Sequence, residues 1–195
     1  MERTLVYIDG FNLYFGMMEA GFEKSRWLNL AKPSQEIDGV KYFTSRVSNN
    51  PSKQKRQGTY IEALECFKVE IIYGHYQSNK VECNRCGHLW LDQNEKMTDV
   101  NIATHMIVDA FQNKYDTAML ISGDSDLVPP IRAVHNLFNQ KRVFVAFPPS
   151  RHNQTVAVAA KGSMVIGRKK LSDSLLPLIV IKANGYQLQK PNEWK

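Results

Sequence analysis

The chain has 195 residues, 43% hydrophobic and 23% charged, with a formal net charge of +6 and a pI near 9.2. That balance fits one globular domain with a small insertion and excludes a disordered chain; no apolar run is long enough to span a bilayer, so no membrane partner is expected. Three cysteines, Cys66, Cys83 and Cys86, do not make a secreted disulfide scaffold, and no signal peptide is evident, so a cytoplasmic setting is expected. The basic excess leans towards a polyanionic partner.

Thr4 to Ile8 is short, apolar and rich in β-formers, which predicts a central buried strand ending at Asp9-Gly10-Phe11-Asn12. A helix follows through Leu13, Phe15, Met17 and Met18 and stops near Gly21. Asn12 either caps that helix or points into the same crevice as Asp9. Residues 26–36 are irregular or a short helix. Residues 40–47 form the next strand, and 48–52 a loop. The helix after it places Lys53, Lys55 and Arg56 near its start, ahead of an apolar face of Tyr60, Ile61, Leu64 and Phe67. Basic residues oppose the dipole at a helix N-terminus, a small cost that phosphate binding would offset.

Residues 69–77 read as a further strand, with a bend at Gly74. Cys83-Asn84-Arg85-Cys86-Gly87 then has the form of a zinc knuckle inside a hairpin insertion at about 75–92. A knuckle supplies two ligands, so His75 and His88 are the nearest candidates to complete a structural zinc site, with Cys66 more remote. A redox pair is the rival reading, without the helix start that would activate a thiolate. Glu95-Lys96-Met97-Thr98-Asp99 opens a long helix whose apolar face runs through Ile102, Ala103, Met106, Ile107, Ala110 and Phe111. Thr98 is its expected N-cap, with Asp99 in the first turn.

Thr117 to Ile121 is another buried strand, and Ser122-Gly123-Asp124-Ser125-Asp126 lies at its end. Ser, Gly and Asp are ordinary turn and cap residues, so this stretch alone does not mark a site. A helix runs on to about Asn139, with Pro129 and Pro130 tolerable in its first turn. Arg142 to Phe147 forms a strand, followed by a short helix at Val156 to Ala160 and a strand at Met164 to Ile166. Residues 171–195 form a tail packed over the domain.

The alternation of strands and helices predicts an α/β three-layer sandwich with a mainly parallel central sheet. Right-handed crossovers put all strand carboxyl ends on one edge. Asp9, Asp124 and Asp126 then share that edge, and Asp99 joins from a helix N-terminus. Four clustered carboxylates repel unless a hard cation or protons neutralise them. Magnesium or manganese suits such donors and phosphate substrates.

Tyr7-Ile8-Asp9-Gly10-Phe11-Asn12-Leu13, Glu95-Lys96 with Asp99-Val100, and Ser122-Gly123-Asp124-Ser125-Asp126 with Pro129 resemble the NYN domain family, relatives of PIN-domain nucleases that include a LabA-like group. The tail from Gly185-Tyr186 to Trp194 resembles one found in that group. The resemblance covers nearly the whole chain and implies a PIN-like, Rossmannoid domain over residues 1–170. It implies metal-dependent RNA cleavage, with Asp9, Asp99, Asp124 and Asp126 as acids for magnesium or manganese and Asn12 and Ser122 beside them. Lys53, Lys55, Arg56 and Lys96 are the expected RNA contacts. Some members bind RNA without cutting it, so a regulatory module retaining the acidic site is the alternative. A haloacid dehalogenase phosphatase needs a second Asp where Phe11 stands, and an integrin-type metal site needs hydroxyls where Phe11 and Leu13 stand. Oligomeric state is open, a homodimer included.

Overall fold

Strands and helices alternate as the apolar runs predict. The computed structural model describes residues 2–31, 37–47 and 50–194. The first half runs β1 (Thr4–Asp9), α1 (Gly10–Glu19), β2 (Gly39–Thr44), α2 (Pro51–Cys66), β3 (Glu70–Tyr73), β4 (His75–Glu82) and β5 (Leu89–Lys96). The second half runs α3 (Thr98–Phe111), β6 (Thr117–Ile121), α4 (Val128–Leu137), β7 (Arg142–Phe147), α5 (Gln154–Ala159), β8 (Gly162–Val165), α6 (Arg168–Asp173), β9 (Ile179–Ile181) and β10 (Gln187–Gln189). Residues 32–36 and 48–49 of the expected loops lie outside the described residues.

The central sheet has six strands in the order β3-β2-β1-β6-β7-β8, and every neighbouring pair is parallel. Its strands alternate between two cores because successive side chains point to opposite faces. Val6, Ile8, Val40, Tyr42 and Ala146 pack with Leu13 and Met17 of α1 and Leu64 of α2. Tyr7, Phe43, Leu120, Val143 and Val145 pack with Ile102 and Met106 of α3 and Ile131 of α4. Right-handed crossovers explain the division: the chain moves outward from β1 in one direction, then from β6 in the other. The order therefore reverses between β1 and β6, and their carboxyl ends flank a topological switch point, the preferred crevice of open α/β sheets.

Two element boundaries differ from expectation. The strand expected over 69–77 breaks at Gly74, where the chain leaves the central sheet and starts the β4–β5 hairpin. Gly74 N–H donates to the Thr44 carbonyl at 2.8 Å. A Cβ there would lie 2.5 Å from Thr98 Oγ1 and 2.6 Å from Ser45 Oγ. The hairpin consequently spans 75–96, not 75–92, with His75 paired to Lys96 and Glu82 to Leu89. The helix expected from Glu95 begins at Thr98, and its cap residue is Met97, in the left-handed region at φ 75°. Thr98 is thus the first helical residue rather than the cap.

The tail closes against the α1–α2 side. Trp194 lies 6.2 Å from Trp27 and 5.9 Å from Tyr60, ring to ring. Trp27 Nε1 donates to the Pro177 carbonyl at 2.7 Å. On the opposite face, α3 buries a charged group among its apolar residues. Asp109 is 1% exposed and accepts from Tyr7 Oη at 2.8 Å, Lys41 Nζ at 2.5 Å and Lys114 Nζ at 3.1 Å. Among the described residues, no helix is long and apolar enough to cross a membrane.

Candidate active site

Asp9 ends β1 and caps α1. Its Oδ1 accepts from the Asn12 N–H at 3.0 Å, satisfying one of the amides left unpaired at a helix start. Its Oδ2 accepts from Ser122 Oγ at 2.9 Å. Ser122 is fully buried at the end of β6, and its Oγ also accepts from the Asp124 N–H at 3.1 Å. Asn12 is therefore not the cap. Its Oδ1 reaches across to accept from the Gly123 N–H at 3.0 Å, tying α1 to the loop after β6. These bonds join the two strand ends at the switch point through Asp9, Asn12 and Ser122.

Asp124 caps the 3₁₀ turn Ser125–Leu127, accepting from the Asp126 N–H at 2.9 Å, so neither Ser125 nor Asp126 is the cap. Asp124 is half-buried and Asp126 exposed. Asp99 sits in the first turn of α3. Burial, then the charges of Asp9, Asp124 and Asp126, push its carboxyl up to about 6. The charges of the other three acids thus reach Asp99. Among the described residues, no three His, Cys, Asp or Glu side chains converge as a ready-made ligand cluster.

Gly123 is required by close approach. A Cβ there would lie 1.9 Å from the Arg151 carbonyl oxygen. We predict that Gly123→Ala displaces the 122–126 loop, lowers stability by about 1–3 kcal/mol in urea titration, and reduces activity with it.

The predicted basic residues divide. Lys53 and Arg56 line a cleft that also includes Gly10, the residue after Asp9. Arg56 pairs with Glu193 of the tail at 2.9 Å. Lys55 lines a second depression, which Arg56 also lines, with Tyr186 and Lys190. Lys96 is exposed at the foot of the hairpin, just ahead of α3. A larger cavity of about 520 Å³ lies over the sheet face, lined by Val6, Ile8, Met119, Ile121 and Phe144, and includes none of the four acids.

The proposed zinc ligands are not all gathered. Cys83 and Cys86 flank the hairpin tip as free thiols, with Gly87 at φ 69° turning the chain and His88 following. Backbone N–H groups of Arg85 and Cys86, then the Cys86 thiol, lower the Cys83 thiol below its ordinary value. His75 stands at the opposite end of β4, roughly 20 Å along the strand. It cannot share an ion with the tip. Cys66 ends α2 and is likewise elsewhere in the fold.

Sequence reading missed Asp109, whose signal is a lone acid on an apolar helix face. It also missed the aromatic wall of the Gly10 cleft, because Phe15 has core spacing in α1 yet is 49% exposed.

A crystal structure of a protein of unknown function from Vibrio parahaemolyticus aligns with a TM-score of 0.61 at 23% identity, covering 90% of this chain and 96% of that one. That likeness speaks to the fold. A 6-hydroxy-3-succinoylpyridine 3-monooxygenase from Pseudomonas putida is 25% identical over 197 aligned positions, covering 78% of this chain. The chain spans 62% of that relative's length. The NYN domain model matches residues 3–165, taking in β1, the α3 acid and the loop after β6, and the chain belongs to the NYN domain family.

Proposed function

We propose that the protein is a magnesium- or manganese-dependent endoribonuclease acting at the switch-point edge. The observation that carries this reading is the meeting of the β1 and β6 ends, where Asp9 is joined through Ser122 to the loop of Asp124, with the charges of Asp9, Asp124 and Asp126 reaching Asp99 of α3. The NYN domain has a nuclease-type fold, and the nucleases of the family generally use divalent metals.

The donor set fits a hard cation. It is all oxygen, and magnesium binds through one or two carboxylates while keeping several waters. Asp9 and Asp124 would hold the ion, with Asp99 and Asp126 beside it. When bound, the ion would polarise the phosphodiester, activate a water and stabilise the leaving oxygen. Ser122 and Asn12 are positioning residues: one orients Asp9, and the other fixes the loop carrying Asp124.

The test is cleavage of a panel of RNAs with magnesium or manganese and with EDTA. Metal-dependent cleavage is expected. An intact panel with either metal, at sensitive detection, overturns the enzyme reading and favours an RNA-binding module with the same acids. Cation binding has its own readout. We predict that magnesium at about 100 times its Kd stabilises the wild type by roughly 2.7 kcal/mol, a melting shift of several degrees that EDTA reverses. Asp124→Asn should lose most of that shift.

A further inference from the structure

The cleft at Gly10 has a composition that the acidic site does not explain. It holds about 330 Å³ and lies between α1 and α2. Gly10, which follows Asp9 in the chain, lines it, and none of the four acids does. One wall is aromatic. Phe11 and Phe15 are stacked at 6.0 Å with a 28° interplanar angle, and Tyr14 meets Phe15 edge-on at 5.3 Å. Tyr14 is 37% exposed and Phe15 49%. The other wall is basic, with Lys53, Arg56 and Arg26. Arg26 already lies over the Trp194 ring at 5.5 Å.

We propose, building on the ribonuclease reading, that this cleft seats one unpaired nucleotide of the substrate strand. The base stacks on the Phe11–Phe15 wall, and its phosphates meet Lys53 and Arg56. Aromatic faces beside a basic track are how proteins hold single-stranded nucleic acid. A volume of about 300 Å³ is at the small end of ligand sites and suits one base rather than a helix. Arg56 can exchange partners. Its present one, Glu193, has a side chain 59% exposed, and such a pair contributes little to stability. A paired base would have to leave its stack to enter. The cleft therefore selects single-stranded RNA.

The experiment measures binding of a labelled oligouridylate and of a blunt RNA duplex to the full chain in EDTA, so that no cutting intervenes. Phe15→Ala is expected to weaken single-strand binding roughly tenfold and Phe15→Trp to restore it. Lys53→Gln should reduce the salt dependence by about one phosphate contact. Duplex should bind more weakly than single strand and be unaffected by Phe15→Ala. Wild-type affinity in Phe15→Ala, or duplex bound as tightly as single strand, overturns the proposal. Melting curves verify that the Phe15 variants fold. The two readings fail separately. Binding that follows this pattern without metal-dependent cleavage overturns only the nuclease, and cleavage that is indifferent to Phe15 overturns only the cleft.

Discussion

Asp124→Asn is expected to lower RNA cleavage on the order of 10³-fold with little change in melting temperature, and Asp9→Asn to do the same. The separation of the two effects follows from what each carboxylate does in the fold. Asp124 Oδ1 accepts one backbone hydrogen bond, from Asp126. An Asn side chain keeps that acceptor and is as good a cap as Asp. At position 9, an Asn oxygen can still take the Asn12 N–H. Its amide nitrogen would face Ser122 Oγ, a hydroxyl that can accept as well as donate. Each change therefore preserves the local bonds and removes one negative charge from the crevice. Activity is read as kcat/KM on a single RNA at saturating metal, and folding by thermal melting. Near-wild-type cleavage by both variants would place the chemistry elsewhere. A collapse of melting temperature in both would mean the acids are structural.

Asp109→Ala is expected to be the most destabilising single change outside the apolar core, by about 3–5 kcal/mol. For a chain of this size that corresponds to a melting shift of roughly 10 °C. Removing the carboxylate leaves Lys41, whose side chain is 9% exposed, as a buried cation over the Tyr7 ring at 5.9 Å, with His105 Nδ1 at 3.1 Å and the exposed Glu70 carboxylate at 3.8 Å in place of its closest counter-ion. The double change Asp109→Leu with Lys41→Met should recover much of the loss, because it removes both charges rather than stranding one. The pH dependence has a definite sign. Burial raises the Asp109 carboxyl, but hydrogen bonds from Lys41, Tyr7 and Lys114 outweigh it and hold the group below its ordinary 3.8. A depressed carboxyl contributes stability that is complete above its unfolded pKa, about 3.9, and is lost as pH falls through the lower folded value. The wild-type advantage over the double variant should thus be constant near neutrality and shrink below about pH 4. Because α3 carries both Asp109 and Asp99, loosening it should also reduce cleavage.

Much of this arrangement was legible in the linear chain. The apolar runs at Thr117–Ile121 and Arg142–Phe147 coincide with β6 and β7, because strands buried on both faces read as unbroken hydrophobic segments. The same logic put Asp9 and Asp124 at strand ends. The hairpin was harder. Residues 69–77 are continuous in β-forming character, and only the packing of Gly74 against Thr98 and Ser45 shows that the sheet stops there. The start of α3 was hidden in the same way, since a left-handed Met97 leaves no trace in composition or periodicity.

By itself, the sequence determined the parallel α/β sheet and the acids that end its strands, because both depend on local patterns of burial and on the fixed hand of crossovers. Only the tertiary structure decided which contacts hold those acids. Ser122 bridging Asp9 to Asp124, Asn12 reaching Gly123 and Asp109 closing on Lys41 each join residues far apart in the chain. It also separated His75 from Cys83 and set Lys53 and Arg56 in one cleft with exposed aromatic rings of α1. Such pairings depend on how strands and helices pack in three dimensions, and spacing along the chain does not encode them.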